Sequence, residues 1–319
     1  MWLVRYIPVE TKFGFMRYRR WSFPFSAALS ILCVAAFFAL GMNFGIDFRG
    51  GTLVELQSRE GPANIGEIRD EANGLGFGQV EVQQFGTPLD VSLRVQVQEA
   101  RDGLTEEEVQ QVVVQTLRDT FEDDYVFRRV EVVGPRVSGE LVQSGTLGVV
   151  FAIFGVLVYL WFRFEWHFAV GAVIATLHDL VLTIGFFAIT QIEFNMTSIA
   201  AILTILGYSL NDTVVVYDRI RETLRKYKRL TVYQVLDVAI NATLSRTILT
   251  GVTTFLALVA LAILGGEVIK GFAYAMIFGL VVGTYSSVFI AAPILIYLGV
   301  RPASEIAQAE EAARVQAAE

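Results

Sequence analysis

Apolar residues in this chain gather into six blocks, each long enough to cross the ~30 Å of bilayer hydrocarbon as a helix. They lie at about 22–42, 142–162, 168–190, 197–217, 247–265 and 271–297. Between the first two blocks the period changes. Strand-like runs, apolar residues alternating with polar ones, occur at Thr52–Gln57, Val80–Phe85, Val91–Val97 and Tyr125–Val133. Two helical stretches separate them, Asn64–Gly76 and Leu104–Phe121. Each opens with capping-box spacing, Asn64 with Glu67 and Thr105 with Glu108, in which an oxygen and a carboxylate satisfy free amides of the first turn. The order β-α-β-β-α-β predicts a small α+β, ferredoxin-like domain set into an α-helical integral membrane protein. The expected organisation is 1–21 as an N-terminal segment, 22–42 as the first span, and 43–139 as the α+β domain. Spans two to six then occupy 140–298, and 299–319 form a tail.

Helix faces carry a second pattern. Gly271, Ala275, Gly279, Gly283 and Ser287 recur every four residues in the sixth block, and Ser144, Gly148 and Ala152 do so in the second. Such stripes let backbones approach closely in lipid, where dispersion replaces the hydrophobic drive, so both are expected to pack inside the bundle.

Composition agrees with a membrane location: 54% of the residues are hydrophobic and the mean hydropathy is +0.53. The N-terminus is basic, but the apolar stretch behind it exceeds a signal-peptide core and ends without a small-x-small site, so it reads as a retained first helix. Charge is unevenly spread. Residues 43–139 hold 9 Lys/Arg against 18 Asp/Glu. The N-terminal segment carries 5 Lys/Arg, loop 163–167 carries 1, segment 218–246 carries 7 and the tail 2, whereas the short loops 191–196 and 266–270 carry only Lys270. The positive-inside rule then puts both termini in the cytoplasm and residues 43–139 outside. An acidic soluble part beside basic membrane flanks argues against nucleic-acid binding. Two histidines and the lone Cys33, set in an apolar run, support no metal site and allow no internal disulfide. Gly50-Gly51 and Gly265-Gly266 are not phosphate loops, and no cofactor is expected.

Chemistry concentrates at ionisable residues inside the spans. Asp179 sits mid-way along the third, Asp212 near the cytoplasmic end of the fourth, and Arg246 where the fifth meets the cytoplasm. Each belongs to a polar stripe at helical spacing: Thr176, Asp179, Thr183; Thr204, Tyr208, Asn211 and Asp212; Arg246, Thr250, Thr253. A charge facing lipid costs at least ~2.5–3.5 kcal/mol at mid-membrane, so these stripes should face protein or water. A buried carboxylate near a guanidinium is suited to gain and lose a proton; a static buried ion pair fixing helix register is the alternative. His178 points about 100° around the helix from Asp179 and reads as a hydrogen-bonded core imidazole.

These residues also carry a resemblance. Asp47-Phe48-Arg49-Gly50-Gly51-Thr52, Val133-Gly134-Pro135, His178-Asp179, the run from Gly207-Tyr208-Ser209-Leu210-Asn211-Asp212 to Glu222, and Ser245-Arg246-Thr247 stand in an order that resembles the SecF family over residues 10–300. Its members are membrane subunits of the bacterial protein-export accessory complex, related to the RND transporters. The resemblance implies a six-helix half-unit in the inner (cytoplasmic) membrane, without enzymatic activity. It implies partnership with SecD, SecYEG and YajC, and use of the proton gradient to draw unfolded polypeptide outward. It also implies proton-relay roles for Asp212 and Arg246, and by extension Asp179, with Thr204, Tyr208, Asn211 and Thr250 as a supporting polar face. Two other readings are half of an RND-type small-molecule exporter and a passive translocase scaffold. The single outer domain of about 97 residues speaks against the exporter.

Overall fold

The computed structural model describes residues 11–98, 100 and 103–300. It packs as two units. One comprises residues 11–42, 150–192 and 197–300 of the described chain; the other comprises 43–149 and 193–196.

The second unit is built on a four-stranded antiparallel sheet. Its elements are a short turn of helix α2 (Ile46–Arg49), β1 (Gly51–Ser58), α3 (Ile65–Gly74), β2 (Val80–Gln84), β3 (Asp90–Val95), α4 (Glu106–Phe121) and β4 (Tyr125–Val133). The strand order is β2-β3-β1-β4, with β1 paired to β3 and β4 and β2 to β3. Alternation along β3 buries Val91, Leu93 and Val95, which meet Ile68 and Ala72 of α3 and Val113, Leu117 and Phe121 of α4. The caps differ in completeness. Thr105 and Glu108 close a full capping box, whereas Asn64 accepts from Glu67 N–H and Glu67 answers the Asn64 side-chain amide, not its backbone.

The paired glycines before β1 have a steric cause. Gly50 (φ 70°) and Gly51 (φ 116°) occupy left-handed backbone. A Cβ on Gly51 would lie 2.3 Å from the Val95 carbonyl oxygen. Only glycine lets β1 start this close to β3.

Residues 193–196 join this unit through backbone and side chain. Phe194 donates N–H to Asn43 O (2.7 Å) and accepts from Gly45 N–H (2.8 Å), while Asp47 Oδ2 accepts from Met196 N–H (2.9 Å). Arg94 on β3 reaches Glu193 (3.1 Å), Asn43 and the Phe44 carbonyl. Burial holds the Glu193 carboxyl above the usual range, with the Arg94 charge pulling it back down.

The first unit is helical. Among the described residues, six helices are long and apolar enough to cross a membrane: Phe15–Leu40, Pro135–Arg163, Trp166–Thr190, Met196–Lys226, Val232–Leu264 and Ile269–Tyr297. The first ends in α1 (Arg19–Leu40); the next four are α5 (Pro135–Arg163), α6 (Trp166–Thr190), α7 (Met196–Lys226) and α8 (Val232–Leu264). The sixth is composite: α9 (Glu267–Ser286), a π-helical turn at Ser287–Ala291, and α10 (Ala292–Tyr297). Segment 218–246, expected as a cytoplasmic connection, is mostly helix. Arg, Glu, Leu and Lys favour continuing α7 to Lys226, and a capping box of Thr231 with Gln234 starts α8 fifteen residues before the predicted span.

The α9 stripe packs as expected. A Cβ on Gly279 would come within 2.4 Å of Ile205 Cγ1, and one on Gly283 within 3.0 Å of Ser209 Cβ, both on α7. The α5 stripe does not: among the described residues no atom lies within 4 Å of a would-be Cβ on Gly148, and Ser144 is exposed. Cys33 is a packing residue: a Cβ on Gly185 of α6 would sit 2.3 Å from Cys33 Cβ.

Candidate functional site

Among the described residues, two carboxylates are buried in the helical unit, each held by hydroxyls. Asp179 on α6 is fully buried (0% exposed) and Asp212 on α7 nearly so (8%). Asp179 Oδ2 accepts from Ser209 Oγ (2.5 Å) and Ser286 Oγ (2.7 Å), while Oδ1 lies 2.9 Å from His178 Nδ1. Asp212 Oδ1 accepts from Thr247 Oγ1 (2.7 Å) and Oδ2 from Ser287 Oγ (2.8 Å).

The helical register explains the arrangement. Ser209 and Asp212 are three residues apart on α7, so one face of that helix reaches both clusters. The glycine stripe of α9 lies against that face and delivers Ser286 and Ser287 at its end. There the backbone passes into the π turn, and both consecutive serines are fully buried. A π turn inside an α-helix is a frequent mark of a functional site.

His178 belongs to the Asp179 cluster, despite its angular offset, because its ring folds back onto the neighbouring carboxylate. Its Nε2 is buried and has no hydrogen-bond partner among the described residues.

Arg246 is placed otherwise than the sequence suggested. Among the described residues its side chain makes no ion pair with Asp212, whose oxygens go to Thr247 and Ser287, and it is exposed. Thr247, one position and about 100° further round α8, takes the place beside Asp212. Arg246 shares an open face with other residues of the polar stripes. Thr204, Asn211, Thr250 and Thr253 are exposed and Tyr208 is half-buried. The Tyr208 hydroxyl lies beside those of Thr250 and Thr254, and Thr250 Oγ1 donates to the Arg246 carbonyl (3.0 Å). The predicted residues thus divide into a buried pair, Asp179 and Asp212, and an outward polar face around Arg246. Sequence reasoning assigned no role to Ser209, Ser286, Ser287 and Thr247. Ser287 was visible as the last member of the α9 stripe, and Ser209 within the motif around Asp212, but small hydroxyl residues in a packed helix look alike until a partner is known. No group of three or more His, Cys, Asp or Glu side chains among the described residues could hold a metal ion.

Fold and site together define a multi-pass membrane protein with buried acids in its helical core and a four-stranded α+β unit after the first span. Comparison with known proteins narrows this. Residues 112–301 match the family described as protein export membrane protein SecD/SecF, C-terminal, and residues 35–61 match the SecD/SecF GG motif, which contains Gly50-Gly51. The chain is 43% identical to the protein translocase subunit SecF of Rickettsia bellii, covering 92% of this chain and 95% of the relative. It is 45% identical to the protein translocase subunit SecDF of Brucella abortus over 94% of its own length but only 39% of that longer relative. Its fold matches the crystal structure of SecDF from Thermus thermophilus with a TM-score of 0.80 and 32% identity, covering 93% of this chain and 39% of the other. The chain belongs to the SecD/SecF family of protein export membrane proteins. The relatives it matches carry the name of protein translocase subunits.

Proposed function

We propose that this chain is the F-type half of an export accessory unit that pairs with a SecD half beside SecYEG, with YajC, and uses the proton motive force to help draw unfolded polypeptide outward. Its location on this reading is the bacterial inner membrane, with both termini cytoplasmic and the sheet unit outside. That sheet unit is a ferredoxin-like periplasmic domain, a reading supported by its β-α-β-β-α-β order and antiparallel β2-β3-β1-β4 sheet.

The observation that carries the proton reading is the pair of buried carboxylates, Asp179 and Asp212, held by hydroxyls and one imidazole in place of a cation. Isolated charges in such surroundings are costly, so residues of this kind inside spans mark ion pathways. With no phosphate-binding loop in the sequence, the drive available is the membrane gradient, ~2.3 kcal/mol per charge per 100 mV. Proton gain and loss would bias the helices between two packings. The exposed polar face of α7 and α8 supports the partner. Arg246, Asn211, Thr204 and Thr250 cannot face hydrocarbon cheaply, and a second half that covers them would bring Arg246 into the relay.

The test is proton flux and substrate export in proteoliposomes holding this chain with SecD, SecYEG and an unfolded substrate. Asp212→Asn keeps size but cannot exchange a proton; it is expected to assemble and lose gradient-dependent export, with Asp212→Glu retaining part. A scaffold would behave differently. Full gradient-dependent export by Asp212→Asn sinks the relay.

A further inference from the structure

The carboxylates of Asp179 and Asp212 are joined by two adjacent residues, and the geometry of those residues has a consequence for proton transfer. A serine hydroxyl carries one proton and can accept as well as donate. Ser286 Oγ lies 2.7 Å from Asp179 Oδ2 and 3.1 Å from the Gly283 carbonyl oxygen. Ser287 Oγ lies 2.8 Å from Asp212 Oδ2 and 3.0 Å from the Thr284 carbonyl oxygen. Each hydroxyl therefore has two acceptors in reach, one a carboxylate and one a carbonyl of its own helix three residues back.

With the carboxylate ionised, the serine proton points to it. When the carboxyl group is protonated, its own O–H donates to the serine oxygen and the serine proton turns to the carbonyl. Both protonation states keep every hydrogen bond through a rotation about Cβ–Oγ, with no heavy-atom movement. In a dry interior this removes the penalty for an unmade bond from either state.

We propose that Ser286 and Ser287 are proton-positioning residues, a pair of hydroxyl rotors at the head of the π turn that let Asp179 and Asp212 each gain and lose a proton without repacking. The inference rests on the relay reading above and adds to it the residues that make exchange possible without repacking. The other donors differ. Among the described residues, Thr247 and Ser209 each bond their carboxylate with no second acceptor in reach of the hydroxyl, so they act as fixed donors. The remaining ionisable groups around the unit are few. His178 faces Asp179 from its own helix. Tyr285 of α9 stands with its ring 6.4 Å from the imidazole and its hydroxyl 2.9 Å from Ser26 of α1. Cys33 of α1 packs one turn away, at Leu182. Tyr208 lies one turn from Asp212 on α7, and Arg246 of α8 is turned outward.

The experiment compares Ser287→Ala, Ser286→Ala, Ser287→Cys and Thr247→Val in the full chain reconstituted with SecD, reading assembly by co-purification and gradient-driven proton uptake across pH. Thr247→Val removes a fixed donor to the ionised Asp212. It should move the pH midpoint of uptake upward by about one to two units and leave the maximal rate intact. Ser287→Ala and Ser286→Ala should move the midpoint likewise and also lower the maximal rate at least tenfold. Ser287→Cys, an isostere with a weaker S–H donor, should fall between parent and alanine. Maximal rates in Ser287→Ala equal to those in Thr247→Val reduce the serines to fixed donors and overturn the proposal. So does an unmoved pH profile in both alanine variants. Failure of the relay itself reads differently, as gradient-dependent turnover persisting in Asp212→Asn.

Discussion

Adding one methyl group at Gly279 tests how α9 meets α7. Its Cβ would lie 2.4, 2.5 and 2.7 Å from Cγ1, Cδ1 and Cγ2 of Ile205. Carbon atoms rest best at about 3.5–4.0 Å, so three contacts are each short by roughly 1 Å. Ile205 is 2% exposed, and a β-branched side chain in a helix has essentially one χ1 rotamer, so it cannot swing clear. The helices must part, at the overpacking cost of about 1–3 kcal/mol. The same substitution also gains about 1 kcal/mol of helix propensity. Gly148 provides the subtraction: it is a helical glycine with nothing within 4 Å of a would-be Cβ. Gly148→Ala should be neutral or slightly stabilising, and Gly279→Ala should fall below it by about 1–3 kcal/mol, the clash alone. The assay is reversible unfolding of the purified chain in mixed micelles titrated with dodecyl sulfate. Ile205→Ala should recover part of the loss when combined with Gly279→Ala, with a coupling of about 0.5–3 kcal/mol. Equal stability of Gly148→Ala and Gly279→Ala, or strict additivity with Ile205→Ala, would falsify the packing.

Other consequences are open to direct measurement. A cysteine at exposed Glu107 in a Cys33→Ala background should react with an impermeant maleimide in intact spheroplasts; reaction only after lysis reverses the orientation. Arg94→Met should cost about 1–3 kcal/mol by removing the guanidinium that faces the Glu193 carboxyl. Burial already raises the Glu193 carboxyl, so the native state holds its proton to higher pH than the unfolded chain, and removing the Arg94 charge raises it further. Stability should therefore be regained as pH falls through that raised value, making the deficit larger at about pH 8 than at about pH 5; equal deficits refute it. The cap at Glu108 works in the opposite sense. Hydrogen bonds from Thr105 hold this carboxyl below its ordinary value, so its contribution is present above that value and lost as acid takes the pH through the lowered one. Glu108→Gln, which can keep the cap, should flatten the acid limb of unfolding monitored in the sheet unit, and an unchanged limb contradicts this.

Periodicity and charge, which are properties of short stretches of chain, were enough to read the six spans, the β-α-β-β-α-β order and the Thr105 cap. The Gly-rich stripe of α9 was equally legible, because small residues every four positions let helix backbones approach closely, though the same spacing on α5 left Gly148 open among the described residues. Tertiary structure decided what local pattern leaves degenerate. Hydropathy registers where a helix leaves the apolar slab and not where it ends, so α7 runs on to Lys226 and α8 starts at Val232. A polar stripe one residue wide cannot separate Arg246 from Thr247, and rotation of α8 against α7 chose the hydroxyl to meet Asp212. Residues 193–196 lie between two spans in sequence, yet their backbone pairs with Asn43 and Gly45, a link that only the folded chain creates. The serines are the clearest case. On a regular helix Ser286 and Ser287 would point about 100° apart. The helices packed around the head of the π turn are what bring a carboxylate within 3 Å of each.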